Sequence, residues 1–143
     1  MKTSCGIFLI DKNNKILMVH STNSRWNVWG IPKGEPEPNE TSLETAKREF
    51  LEETNVDISK LINDCDFEYV YLGEQIYKSR QKVLHGHLYK FQKDLSGLEF
   101  KCTSLIREST LPEVDKFKWT DVTESLKWLH DAQTVLLEKY LKQ

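Results

Sequence analysis

The chain has 143 residues, of which 38% are hydrophobic and 29% charged, with a formal net charge of −2. That length can enclose a hydrophobic core without disulfides or a structural metal, and the composition predicts one globular domain over residues 1–143. The near-neutral charge excludes a general attraction to nucleic acid or anionic membranes, so a polyanionic ligand has to be met locally.

Cys5, Cys65 and Cys102 are odd in number and widely separated, which fits neither a disulfide framework nor a zinc-ligand spacing. No segment nears the ~18 apolar residues of a membrane span, and no signal-peptide core is seen. A reducing cytoplasm is the expected location, with no membrane partner.

In chain order, Cys5 to Ile10 and Ile16 to His20 are apolar runs flanking Asp11, Asn13 and Asn14, which predicts a β-hairpin with a polar turn. Trp26 to Ile31 leads into PKGEPEP, whose prolines and glycine predict a loop. Thr41 followed by Glu44 forms a capping-box pattern, and Leu43, Ala46 and Phe50 supply the apolar stripe of a helix ending near Thr54. Phe67–Tyr77 and Val83–Phe91 are rich in aromatic and β-branched residues and predict strands, with Val83, His85, His87, Tyr89 and Phe91 on one face. Asp121 with Glu124 is a second capping-box pattern, ahead of Leu126, Leu129, Ala132, Leu136 and Tyr140 at helical spacing. This predicts a closing amphipathic helix. There is no repeat, low-complexity tract or Gly/Ser linker.

The chemistry concentrates in residues 34–56, GEPEPNETSLETAKREFLEETNV, with seven glutamates against Lys47 and Arg48. At about 100° per residue, Glu49, Glu52 and Glu53 share one arc of the helix. Like charges at this spacing oppose helix formation by ~0.2–0.5 kcal/mol a pair, and Arg48 relieves only part of that. Two readings compete. A solvated acidic face, favoured near the helix start by the macrodipole, accounts for Glu40 and Glu44. A site for a hard divalent cation, held by carboxylates, water and phosphate, accounts for the later triplet.

The stretch runs Gly34, five residues, Glu40, seven residues, Arg48-Glu49-Phe50, one residue, Glu52-Glu53, one residue, Asn55-Val56. This resembles the box that defines the Nudix hydrolases, with eight of nine defined positions matched and Asn55 standing where that family has glycine. Asn is the usual substitute for Gly in a left-handed C-cap. The resemblance implies an α/β fold, a Nudix-type α/β/α sandwich with a mixed β-sheet between helices. It further implies hydrolysis of a nucleoside diphosphate linked to another moiety, with Mg²⁺ (or Mn²⁺) as cofactor. Glu49, Glu52 and Glu53 then take the metal positions, with a carbonyl near Gly34, and Glu40 pairs structurally with Arg48.

A finer similarity, carried by WGIPKGEPEPNE and LPEVDKFKW, is to the asymmetric diadenosine tetraphosphate hydrolases and related predicted pyrophosphohydrolases. It implies that Glu113, six residues before Trp119, assists catalysis beside Glu52 and Glu53 or binds metal. Lys33 and Lys82 match phosphate-contacting positions. His85 and His87 are candidate phosphate contacts, and Tyr77 and Trp26 candidate base-stacking residues, against the plainer reading that each packs or stays solvated. The expected substrate is a dinucleoside polyphosphate. RNA 5′ ends, diphosphoinositol phosphates and nucleotide sugars are alternatives, with long RNA disfavoured by net charge. A catalytically silent nucleotide sensor is the alternative of another class.

If Asn55 is a left-handed cap, Asn55→Gly should change unfolding free energy by less than ~1 kcal/mol, whereas Asn55→Val should cost clearly more. Urea titration of the two variants checks this; equal stability would remove the cap reading.

Overall fold

A computed structural model describes residues 1–143. The strands are β1 (Lys2–Ile10), β2 (Lys15–Ser21), β3 (Lys33–Gly34), β4 (Phe67–Ile76), β5 (Lys82–Phe91) and β6 (Val114–Asp121), and the helices α1 (Ser42–Thr54), α2 (Ile58–Asp64), α3 (Val122–Ser125) and α4 (Asp131–Leu141). The sheet order is β4-β5-β1-β2-β6, with β3 added beside β1. β1 and β5 run parallel and the other pairs antiparallel, so the sheet is mixed. None of the helices is long and apolar enough to cross a membrane.

Each face of the sheet buries its own core. Ile7, Leu9, Leu17, Tyr89 and Phe91 pack with Phe50 and Ala46 of α1 and Ile58 and Leu61 of α2. Phe8, Ile10, Ile16, Met18 and Leu88 pack with Ala132, Leu136 and Leu137 of α4. β1 alternates between the two cores and is buried on both faces from Ser4 to Ile10, as expected of a strand with helices on either side.

The predicted hairpin closes and then opens. Asp11 Oδ1 accepts the N–H groups of Asn13 (2.9 Å) and Lys15 (3.2 Å), and β1 meets β2 at Ile10–Ile16. Beyond that the two strands diverge, and the chain from Gly30 to Gly34 fills the gap. Gly30 exchanges hydrogen bonds with Val19 at 2.7 and 2.9 Å, Ile7 N–H donates to the Pro32 carbonyl at 3.2 Å, and β3 pairs with Cys5 and Gly6. The wedge places Lys33 and Gly34 at the mouth of a split in the sheet, facing α1.

α1 begins and ends as its residues dictate. Both halves of the Thr41–Glu44 capping box form, and Asn55 closes the helix at φ 62°, ψ 21°, its N–H bonded to the Leu51 carbonyl. α2 is not anticipated: seven residues are too few to show a period, and its one signal is the Asp57 side chain capping Ser59 N–H.

The closing helix requires a correction. It is broken into α3 and α4, and Asp121 makes no capping bond. Asp121 instead pairs with Lys15 at 2.9 Å and Glu124 with Lys127 at 3.3 Å. The break occurs because Trp29 draws residues 128–130 into strand-like pairing: Trp29 N–H donates to the Trp128 carbonyl and His130 N–H to the Trp29 carbonyl, both at 3.2 Å. The apolar residues on either side of the break still reach one core.

His87, 3% exposed, lies between Ser42 Oγ (2.7 Å) at the start of α1 and Tyr69 Oη (2.8 Å) on β4. Burial, with the neighbouring His85, pushes its pKa down to about 4. A His whose folded pKa is depressed contributes stability present above its ordinary value near 6.5 and lost as pH falls toward 4. Urea unfolding at pH 7 and pH 4 should therefore show a loss of up to about 3 kcal/mol from this residue, and His87→Gln should flatten the profile. An unchanged slope in that variant would show that other groups control acid stability.

Candidate active site

Arg48 organises the acidic face of α1. Its Nε meets Glu40 Oε2 at 2.8 Å, Nη1 meets Glu49 at 2.9 Å and Glu52 at 3.2 Å, and Nη2 donates to Glu40 (3.0 Å) and to the Glu35 carbonyl (3.0 Å). Hydrogen bonds from Arg48 and from the Glu37 backbone hold the Glu40 carboxyl down at about 2, and Thr45 Oγ1 also donates to it. Glu40 thus braces the loop of residues 35–41 against α1.

The other carboxylates are less compensated. Glu53, 5% exposed, accepts only the Lys33 backbone N–H, at 3.3 Å. Burial pushes its carboxyl well above the usual range, the Glu49 charge adds to this, and the Lys33 ammonium opposes it. Burial likewise raises the Glu49 carboxyl; Arg48 lowers it, while Glu52 and Glu113 raise it further. Lys33 shows the converse, its ammonium pushed down by burial and by Lys82.

The residues singled out from sequence separate into groups. A polar cavity of about 790 Å³ brings together Lys33, Gly34, Arg48, Glu49, Lys82 and Glu113. A second space of about 120 Å³, also lined by Lys33, contains Glu53 and again Glu113. Glu113 precedes β6, its N–H on the Ser104 carbonyl and its own carbonyl on Thr22 N–H, both at 3.0 Å. Glu52 lies toward Arg48, its side chain 39% exposed. Tyr77 is 8% exposed, with its hydroxyl bonded to Gln133 Nε2 at 3.2 Å and its ring 6.0 Å from Lys82 Nζ. Trp26 is 74% exposed.

His85 and His87 line neither carboxylate space. His85 bonds Tyr71 Oη at 2.8 Å and Glu74 at 3.4 Å, and His87 is held as described above. Sequence reasoning missed His130, which shares a pocket of about 200 Å³ with Lys33, Tyr77 and Lys82. Its imidazole is pushed down by burial and by Lys33. No spacing signal marks it, since it is brought in by the break between α3 and α4.

No three His, Cys, Asp or Glu side chains are gathered closely enough to enclose an ion, because Arg48 draws Glu49 and Glu52 to itself. The donor set nevertheless suits a hard cation: oxygen ligands only, like charges raising one another's proton affinity, and a buried carboxylate with a single N–H partner. Gly34 is part of this cradle, since a Cβ there would overlap the Glu49 carboxylate.

The sequence pattern of the NUDIX domain family matches residues 2–140. An RNA pyrophosphohydrolase of Pelagibacter ubique is 32% identical over 66 residues, covering 46% of this chain and 42% of that protein. An RNA pyrophosphohydrolase of Bartonella henselae is 24% identical over 135 residues, covering 85% of this chain and 76% of that protein. The chain therefore spans less than half of one curated relative and about three quarters of the other. The crystal structure of a C. elegans Ap4A hydrolase binary complex superposes with a TM-score of 0.69 at 20% identity, covering 99% of this chain and 96% of that one. That likeness establishes the α/β sandwich.

Gly34→Ala tests the cradle. The displaced group is a flexible carboxylate end, so melting temperature should shift by no more than a few degrees, while Mn²⁺ affinity by titration calorimetry should fall at least about tenfold. Undiminished binding would show that Glu49 does not hold the ion.

Proposed function

Because the chain belongs to the NUDIX domain family, we propose that it is a metal-dependent pyrophosphohydrolase acting on a nucleoside diphosphate linked to another moiety, with a dinucleoside polyphosphate as leading substrate. The observation that carries this is the burial of Glu53 with Glu49 and Glu113 nearby, opposite Lys33 and Lys82. Buried, only partly compensated carboxylates beside two ammonium groups suit a ligand that carries both phosphates and cations.

Glu49, Glu52 and Glu53 would hold Mg²⁺ (or Mn²⁺), with a carbonyl near Gly34. When bound, the cation polarises a phosphoryl oxygen and favours a hydroxide nucleophile at neutral pH. Lys33 and Lys82 bind the non-bridging phosphate oxygens and neutralise charge as the anhydride breaks. Glu113, set on the neighbouring strand's entry, accepts a proton from the attacking water or orients it. Glu40 and Arg48 hold the loop and helix in register without touching the substrate. We treat residues 1–143 as one Nudix domain.

RNA 5′ ends are the second reading, favoured by the names of the two curated relatives. A screen of products from dinucleoside polyphosphates, nucleotide sugars, and capped or triphosphorylated RNA separates the two, and failure to cleave any of them with Mg²⁺ or Mn²⁺ present would overturn the proposal.

Glu53→Gln and Glu52→Gln should each lower turnover by several orders of magnitude with the fold intact. Ionising a carboxyl that burial holds above its ordinary value costs stability as pH rises, so Glu53→Gln should melt at an equal or higher temperature in EDTA at pH 7. Glu113→Gln should lower kcat at least ~100-fold; wild-type rates in it would confine the chemistry to the α1 carboxylates.

A further inference from the structure

Glu113 comes to the carboxylates of α1 at the end of a long connection. From Gln92 to Glu113, between β5 and β6, the chain forms neither a helix nor a strand, so its place beside α1 depends on individual hydrogen bonds. Lys101 N–H donates to the Thr54 carbonyl at 3.0 Å, and Thr103 N–H to the Glu52 carbonyl at 2.7 Å. Thr103 Oγ1 donates to that same Glu52 carbonyl at 2.8 Å. Both carbonyls belong to the last turn of α1, where a helix leaves its acceptors without partners. One residue further on, the Ser104 carbonyl accepts Glu113 N–H at 3.0 Å. Beyond it Leu105 pairs with Pro112 and Ile106 N–H donates to the Leu111 carbonyl at 2.8 Å, so residues 104–113 double back as a hairpin-like loop whose two feet are Ser104 and Glu113.

The connection is held without the Thr103 hydroxyl. Phe100 packs on the rings of Phe117 and Trp119, with centroids 5.3 and 5.9 Å away, and Thr103 N–H alone satisfies the Glu52 carbonyl. A second bond from an exposed side chain adds little to stability, because water competes for both of its ends. What it adds is direction. Glu52 stands immediately before Glu53 and three residues after Glu49, while Glu113 lines the larger cavity with Glu49 and the smaller with Glu53. The Glu52 carbonyl, Thr103, Ser104 and Glu113 N–H thus make a direct route from the acidic helix to the one carboxylate of the cleft that the helix does not carry.

We infer that Thr103 is a positioning residue for the reaction: its paired bonds to the Glu52 carbonyl fix the Glu113 carboxylate relative to those of Glu49 and Glu53. This rests on the reading of the carboxylates as a phosphoanhydride-cleaving centre. Thr103 lines neither cavity and acts only through Glu113. Misplacing a reacting group by about 1 Å costs on the order of a hundredfold in rate, so removing one of the two bonds acts on turnover more than on folding or on substrate binding.

The test measures kcat and KM on diadenosine tetraphosphate with Mg²⁺, or on whichever RNA 5′ end or nucleotide sugar the wild type cleaves. Thr103→Val keeps the backbone N–H and the branched shape and removes the hydroxyl. Its kcat should fall about tenfold, with KM held within about twofold and the melting temperature within about two degrees. Thr103→Ser retains the hydroxyl and should recover most of the rate. Added to Glu113→Gln, Thr103→Val should lower kcat no further, because residues that act as one unit are not additive. A wild-type kcat in Thr103→Val overturns the inference, as does a rise in KM alone or a failure of Thr103→Ser to recover the rate. So does the same fall repeated in full on the Glu113→Gln background, which would place the effect in α1 itself. An active wild type with that additive result removes the role of Thr103 alone; a wild type that cleaves no anhydride removes the centre, and the role of Thr103 with it.

Discussion

Everything at the acidic end of this molecule depends on one guanidinium. Arg48 reaches Glu40, Glu49 and Glu52 from within a single helix and also holds the Glu35 carbonyl. Without it α1 and the loop before it would repel one another through the carboxylates of Glu40, Glu49 and Glu52. A lysine would not substitute, since a single ammonium lacks the fixed fork that meets several oxygens in different directions. The same residue keeps Glu49 and Glu52 turned toward itself, so a divalent cation bound there would have to displace an internal one.

The second constraint lies in the sheet. Opening the gap between β1 and β2 sacrifices ladder hydrogen bonds that a plain hairpin would make, and the Gly30–Gly34 segment restores several of them. In return, the Lys33 backbone N–H reaches the buried Glu53 carboxylate and Gly34 comes against Glu49. Close approach of backbone to side chain is why position 34 has no Cβ.

The parts legible in the sequence are those whose cause is local. Whereas the Glu40–Arg48 pair is implied only by the resemblance to the Nudix box, the Thr41–Glu44 box and the Asn55 cap act within the ends of one helix, and their spacing is therefore visible in the chain itself. The strand periods of β4 and β5 are visible for the same reason. The break before Asp131 is not, because it is imposed by Trp29, about a hundred residues away, on a segment whose apolar spacing suits a continuous helix. His87 reads as a candidate ligand until Ser42 and Tyr69 are brought to it by the fold. Trp26 reads as a candidate base-stacking residue against the plainer one of a packed aromatic, and the structure leaves it 74% exposed on a loop bonded to His20 through the Arg25 carbonyl. Where burial depends on distant partners, residue type alone carries no signal.

The ladder between β1 and β5 joins residues about eighty positions apart, beginning with Lys2 and Lys82, and β2 pairs with β6 across about a hundred, as in Leu17 and Trp119. Loop closure of that length has to precede the contacts that stabilise it, which places such a topology among slow-folding ones. During synthesis β1 waits for its parallel neighbour until most of the chain has emerged, and β2 keeps a bare edge longer still. The interval exposes the most apolar strands of the molecule. The acidic helix draws its capping from both of its own ends, so its limits do not wait for that long-range closure.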